Sequence, residues 1–384
     1  MKEGWKVVKI KEVVEPSNGL WKGKKPPYIN IAVIRNTNFS KDCKLKLDDV
    51  EYIDVEERQY TARKLEYGDI IIEKSGGSDK QPVGRPILFN LQEGDYSFSN
   101  FTSRLRINDT KEVNPEYLHK ALYNLYLQGA TFPLQSHTTG IHNLDFKGYL
   151  DLELPLPSLS EQQRIAGILD VAFEKIDALK ANAEKNLENA KALFQQVLSK
   201  ELEPKDGWEE KKLGDFAFMK AGDFVKASDI HETYEEGLFP CYGGNGLRGY
   251  VKEPNYEGDY CIIGRQGALC GCINRASGIY RTTEHAVIVK PYEDIPTLLV
   301  YYMLVNLNLN QYSTGAAQPG LSVKNISENV TINIPPDSEQ QRIVATLDTL
   351  SAKCRHLEEV AQKTIAECDA LKQSILRQAF NGEL

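Results

Sequence analysis

No run of 18 or more apolar residues occurs anywhere in the 384 residues, so no segment is long and apolar enough to cross a bilayer as a helix. The opening stretch Met1-Lys2-Glu3-Gly4-Trp5-Lys6 lacks an apolar h-region and does not read as a secretory signal. Cysteine is sparse and odd in number. Its seven copies (Cys43, Cys241, Cys261, Cys270, Cys272, Cys354, Cys368) form no disulfide framework and fit a reducing cytoplasm. The six histidines (119, 137, 142, 231, 285, 356) show no metal-ligand spacing, and Cys270-Gly271-Cys272 lacks the paired knuckles of structural zinc. No P-loop pattern is present, so ATP-driven movement is not expected of this chain. Nor is any segment basic. Residues 1–155 are neutral, residues 206–335 carry −5, and the whole carries −8. Neutralising phosphates takes Lys and Arg, so composition alone argues against a stand-alone nucleic-acid binder.

What is present is a duplication. Ser160-Glu161-Gln162-Gln163-Arg164-Ile165 returns as Ser338-Glu339-Gln340-Gln341-Arg342-Ile343. Each copy follows a proline-rich exit and opens a long apolar-periodic run. Gly207-Trp208 matches Gly4-Trp5, and Gly258–Ile263 aligns with Gly68–Glu73. So long a period is not a solenoid repeat. It indicates one module built twice, each copy ending in a helix.

The first module, residues 1–157, shows short β-rich runs, clearest at Tyr28–Arg35, Asp69–Glu73 and Pro86–Phe89. Residues 115–125 read as a helix, with Asn114 as N-cap and Pro115 at its first position. A helical spacer follows at 158–203, a second module at 204–336 and a second spacer at 337–384. Ser160 with Gln163 has the capping-box pattern, and Ser158 with Glu161 offers an alternative. The second spacer places Ile343, Leu347, Leu350, Cys354, Leu357, Ala361, Thr364, Cys368, Leu371, Ile375 and Ala379 on a heptad seam. Such a stripe needs a partner. The internal duplicate is the nearest one, and a homodimeric coiled coil is the alternative. The fold class expected is α+β: two globular mixed α/β domains joined by two long antiparallel helices in an intramolecular coiled coil, with a pseudo-two-fold internal repeat.

Three stretches carry a family likeness. They are Pro157–Ile165, Pro335–Ile343 and the tail Leu371-Lys-Gln-Ser-Ile-Leu-Arg-Gln-Ala-Phe-Asn-Gly-Glu-Leu384. Tyr242–Tyr250, Gly264-Arg-Gln-Gly267 and Thr283-Glu-His-Ala286 add to it. With these, the chain resembles the specificity subunit of type I restriction–modification systems, and the likeness spans its whole length. The resemblance implies two target-recognition domains, each reading one half of a bipartite, asymmetric DNA site. A helical ruler would fix the unread spacer. The implied partners are double-stranded DNA, two methyltransferase subunits that use S-adenosylmethionine, and motor-nuclease subunits where a system has them. The chain itself would be non-catalytic and carry no cofactor. The basic surface for the phosphates would then belong to the partners. A coiled-coil scaffold with two protein-binding end domains is the alternative from another class.

Gly244-Asn245-Gly246-Leu247-Arg248-Gly249 matches G-x-G-x-x-G, but Pro254 follows too soon for a Rossmann helix, so a glycine-rich loop is expected. Lys25-Pro26-Pro27-Tyr28 resembles the Asn/Asp-Pro-Pro-Tyr motif of amino-methyltransferases, but Lys25 is a donor where the flipped base needs an acceptor. Base readers should be hydrogen-bonding side chains on Gly-rich loops. In the first module the candidates are Lys74, Ser75, Gly76, Ser78, Lys80, Gln81, Arg85, Gln135, Ser136, His137 and Thr138. In the second they are Asn245, Arg248, Arg265, Gln266, Thr283, His285 and Gln318, with the two arginines foremost because Arg pairs bidentately with guanine. Glu161, Gln162, Arg164, Glu339, Gln340 and Arg342 are candidate subunit-interface residues. Capping does not account for the recurrence of Arg164.

Overall fold

The structure, a computed structural model, describes all residues except 1–3, 22–24, 139–140, 268 and 316–319. The chain divides into two compact units, one made of Met1–Asn182 with Thr364–Leu384 and the other of Ala183–Lys363.

In the first unit a four-stranded antiparallel sheet runs in the order Val14–Asn18, Thr102–Ile107, Ile70–Glu73, Pro86–Leu88. Its inner strand Ile70-Ile71-Ile72 is wholly buried. Side chains alternate along a strand, so Ile70 and Ile72 enter one apolar cluster and Ile71 another. This explains an unbroken apolar run where a half-exposed strand would alternate. A three-stranded sheet orders Glu51–Glu56, Tyr28–Ile34 and Tyr96–Phe98. The helix Pro115–Leu127 starts as its sequence indicates: the Asn114 side chain accepts from the Tyr117 backbone N–H at 2.8 Å. Strand Lys6–Lys9 pairs antiparallel with Glu153–Leu156, so the domain's entry and exit lie side by side.

The second unit repeats this frame. Its four-stranded sheet runs Ala217–Ala221, Ala286–Pro291, Tyr260–Gly264, Ile273–Ala276. Tyr260–Gly264 holds the inner place that Ile70–Glu73 holds in the first unit, as the matched Gly-Asp sequences imply. A second sheet runs Gly246–Val251, Phe239–Gly243, Ile279–Thr282, Tyr256–Glu257. Strand Glu209–Lys212 pairs with Thr331–Ile334 and again brings entry and exit together.

The two spacers are continuous helices, Leu159–Glu201 and Asp337–Asn381. At 1.5 Å per residue each is on the order of 65 Å long. In the first unit Ile165, Ala166 and Leu169 of one pack with Leu376, Ala379 and Phe380 of the other. In the second unit Leu198 and Leu202 pack with Ile343 and Leu347. Within each unit the helices therefore run in opposite directions. The seam is narrower than the heptad reading. Leu347, Cys354, Ala361 and Cys368 are buried at strict seven-residue intervals, but Leu357 and Leu371 are about half exposed. A single helical neighbour covers a stripe barely one residue wide per heptad, so the other apolar position stays open.

Candidate nucleic-acid interface

The Gly243–Gly246 segment is a hairpin turn. Gly243 pairs with Gly246, leaving Gly244-Asn245 as a two-residue connection with Asn245 exposed at the tip. No helix follows, so the G-x-G-x-x-G pattern here does not build a dinucleotide fold. The hairpin lies tight against the end of strand Tyr260–Gly264. A Cβ on Gly264 would sit 1.9 Å from the Gly244 carbonyl oxygen, so only glycine fits there.

Between the two sheets of the second unit the chain passes through Thr283-Glu284-His285. This link is fixed at both ends. The Thr283 N–H donates to the Tyr242 carbonyl at 2.9 Å, and the His285 carbonyl accepts from the Arg265 N–H at 3.0 Å. Hairpin, strand end and link together wall a cleft of about 730 Å³. Asn245, Arg248, Gln266 and His285 line it, as does the wholly buried Thr283. Five candidates far apart in sequence are thus brought to one place. Arg265 is not among the lining side chains; its backbone bonds to His285 and Leu321. Gln318 lies outside the described residues.

The wall holds several polar atoms that are enclosed without a hydrogen-bond partner among the described residues. They are Thr283 Oγ1, Glu284 Oε2 and His285 Nδ1. Each such atom carries a desolvation penalty of about 1–3 kcal/mol until it is met. Native interiors keep few of them, and three fall here on consecutive residues. Glu284 was not among the sequence candidates. The signal that could have found it is a Thr-Glu-His run between two apolar strands.

A second cleft of about 500 Å³ adjoins the first, and both are lined by Phe224 and Val225. Phe224 is 70% exposed, an unusual position for so large an apolar ring. Lys226, His231, Lys252 and Arg281 bring basic groups to this second cleft, against Asp229 and Glu253. Sequence reasoning missed all four, because they are scattered single charges in an acidic segment.

In the first unit the candidates are placed differently. Arg85 and Glu73 form a buried bidentate pair, with Nε–Oε2 at 2.7 Å and Nη2–Oε1 at 2.9 Å, and Arg85 Nη1 donates to the Phe39 carbonyl at 3.1 Å. A guanidinium so enclosed is not a base reader, which corrects the expectation for Arg85. Ser75 bonds to Asn143 through its hydroxyl, and Lys74 reaches Asn18 at 2.7 Å while lying over the Phe146 ring. Gln135 Oε1 accepts from the Val83 N–H at 3.1 Å, and the Gln81 side chain faces Arg85. Ser75-Gly76 is the short edge of a three-stranded sheet with Gln135–Thr138, which carries His137 and Thr138, and Ile141–Leu144. Ser78, Lys80 and Ser136 remain exposed.

Residues 2–189 and 205–367 match the family model described as type I restriction modification DNA specificity domain. The chain belongs to this family. Over 236 residues it is 36% identical to the type I restriction enzyme EcoprrI specificity subunit of Escherichia coli, a match covering 57% of this chain and 57% of that protein. The chain thus spans little more than half of that relative. It is 24% identical over 430 residues to the EcoKI specificity subunit of Escherichia coli strain K12, covering 100% of this chain and 89% of that one. Among solved structures, one from work on the assembly and conformational transition of the type I R-M system shares the fold with a TM-score of 0.78. Its identity is 19%, and 100% of this chain and 99% of that one are covered. The HsdS subunit from Thermoanaerobacter tengcongensis gives 0.55 at 20% identity over 100% and 98%.

In this type I specificity chain the duplicated helix start has an internal task. Gln162 is fully buried: its Nε2 donates to the Pro157 and Glu112 carbonyls at 2.9 Å, and its Oε1 accepts from the Asn114 N–H at 2.9 Å. Gln340 is buried too and donates to the Pro335 carbonyl at 3.1 Å. Neither amide presents a face to a partner, which corrects the interface expectation for both. Arg164 pairs with Glu161 and donates to the Leu384 carbonyl at 2.7 Å. Arg342 reaches Glu201 at 2.8 Å, with Glu339 at 3.6 Å. Each arginine thus ties the start of one long helix to the end of the other. That tie accounts for the recurrence which capping leaves unexplained.

Proposed function

We propose that this chain is the non-catalytic DNA-reading subunit of a type I restriction–modification complex. Its two globular domains, 1–157 and 204–336, each read one half of a bipartite, asymmetric site. The long helices, 158–203 and 337–384, set the unread spacer between the halves. Methyl transfer from S-adenosylmethionine takes place on methyltransferase subunits that dock on this chain, and motor-nuclease subunits join where the system has them.

The observation that carries the reading is the second unit's cleft. Asn245, Arg248, Gln266 and His285 offer base-edge donors and acceptors there, and the adjoining cleft supplies Lys226, Lys252 and Arg281 for phosphates. Partner docking is supported by apolar side chains left open on the helices. These are Ile168, Val171, Leu179 and Leu371 in the first unit, with Leu193 and Leu357 in the second. The net charge of −8 fits a division of labour in which partners hold the duplex and this chain reads it.

The test is selection from a randomised duplex pool by the chain co-purified with its methyltransferase. Two unlike half-motifs at fixed separation are expected. Four residues inserted after Ala183 should change the separation and leave both half-motifs intact. A pool that shows no enrichment, while the end domains capture proteins instead, would establish the scaffold reading.

A further inference from the structure

We propose that Glu284 determines specificity in the second unit's cleft by accepting a hydrogen bond from the N4 amino group of a cytosine. This deepens the DNA-reading function proposed above and rests on it.

An ionised carboxylate on the wall of a DNA-facing cleft is repelled by phosphates, so it serves either the protein's own fold or a base edge. The fold uses only part of it. Glu284 Oε1 lies 3.2 Å from His285 Nε2, while Oε2 is enclosed with no partner among the described residues. The side chain is 30% exposed, neither withdrawn into the core nor free in solvent. Its backbone cannot drift, because Thr283 and His285 on either side are bonded to the two sheets. With Oε2 enclosed, Oε1 is the oxygen a base edge would meet, on the same cleft as the donors Arg248 and Gln266.

The base follows from the groove edges. A carboxylate only accepts. Guanine presents two acceptors in the major groove and would repel it. Adenine sets its N7 acceptor next to the N6 amine, so a carboxylate reaching the amine also meets N7. Cytosine presents the N4 donor with no neighbouring acceptor on its major-groove edge, and it alone meets the carboxylate without repulsion. Arg248, on the same cleft, has the geometry for a guanine O6 and N7.

Gln has both a donor and an acceptor and suits the N6/N7 pair of adenine. In Glu284→Gln, preference at one position of one half-site should therefore move from cytosine toward adenine. In Glu284→Ala, the four bases should become nearly equal there. Each change should be roughly 5- to 150-fold in relative enrichment, with the other positions unaltered.

The experiment uses the full chain in complex with its methyltransferase, selecting from a randomised duplex pool at one salt concentration. Thermal melting of each variant shows that it is folded, and Glu284→Gln is the conservative variant where Glu284→Ala is not. A single-position change from cytosine supports the proposal. Equal weakening at every position, or an unchanged profile, overturns it and leaves the DNA-reading function standing. If the unmutated complex enriches no two-part motif, the function itself fails and the proposal with it.

Discussion

The two domains are fastened to the long helices in different ways. In the second unit the helix residues Leu198, Leu202, Ile343 and Leu347 belong to the same apolar core as the sheet residues Ile263, Val287 and Val289. In the first unit the helices meet the domain through a cluster of their own, built on Tyr117, Ala121, Tyr123 and Phe380, apart from the core around Ile70 and Ile72. Charged ties supplement it. Lys120 is buried and pairs with Asp170 at 2.6 Å, and Asp177 binds Lys44 at 2.5 Å and also the buried Lys372. The polar loops differ in the same sense. Those of the first unit engage Arg85, Ser75 and Gln81 within the fold, while those of the second bring Asn245, Arg248, Gln266 and His285 to one cleft. One frame can thus fasten its domain either by merging helix and sheet in one apolar core or by a separate apolar cluster with charged ties.

Four sets of substitutions would break or sharpen this contrast. The largest effect is expected from Arg85→Ala, which strands the buried Glu73 carboxylate. It should destabilise the first unit by about 3–5 kcal/mol in chemical denaturation. Arg248→Ala, its counterpart on the exposed rim of the second unit, should leave stability within about 0.5 kcal/mol. It should weaken DNA binding at one base position by roughly 1–3 kcal/mol. If the pattern were reversed, with Arg85 affecting DNA and Arg248 affecting folding, the assignment of the two arginines would be wrong.

Next come the helix-start amides. Gln162→Ala leaves an N–H and two carbonyls without their partner and should cost about 1–3 kcal/mol. Gln340→Ala should cost less, since it loses bonds only to the Pro335 carbonyl and Asp337. Equal melting shifts for the two would refute the ranking.

The third change concerns His119. Desolvation, aided by the neighbouring Lys120 charge, pushes its pKa down to about 4 from an ordinary 6.5. The unfolded chain therefore binds the proton more readily. The contribution of the neutral ring is full above about pH 6.5 and is lost as the pH falls through about 4. Asp170 and the Cys43 and Pro86 carbonyls also face the ring and pull its pKa the other way. His119→Gln should flatten the pH dependence of stability across that window, and an unflattened curve would exclude His119 as its source. The smallest effect belongs to Lys226→Ala and Lys252→Ala. Each should lower the salt slope of DNA binding by about 1 without altering base preference.

The helices were legible from the sequence because their signals are local: periodicity and a proline exit seen twice. Asn114 and the strand at Ile70–Ile72 were legible for the same reason. The capping box at Ser160 and Gln163 was not, since the helix already begins at Leu159 and Ser160 lies within it, which leaves Ser158 at the cap position. The placement of the candidate residues was legible in part. Asn245, Arg248, Gln266 and His285 do line one cleft, yet Arg85, Ser75 and Gln81, equally polar and equally close to glycines, are engaged inside the fold. A loop sequence shows which hydrogen bonds a residue can make, not whether its partner lies in the same chain. Glu284 escaped because the choice of candidates favoured donors. Gln162 was misjudged because a helix-start amide looks like surface until the carbonyls it serves, 50 residues away at Glu112 and nearby at Pro157, are seen.

The pairing of Lys6–Lys9 with Glu153–Leu156, and of Glu209–Lys212 with Thr331–Ile334, has an evolutionary consequence. Where a domain's two ends leave through one antiparallel ladder, recombination at those two points exchanges everything between them as a cassette. A foreign reader needs only to supply the same pair of strands to plug into the unchanged helices. Under the proposed function, such an exchange would give the chain a new target in one genetic event. This agrees with the sequence of the two copies, which match at Gly4-Trp5 and Gly207-Trp208 and at the helix starts, and differ almost everywhere between.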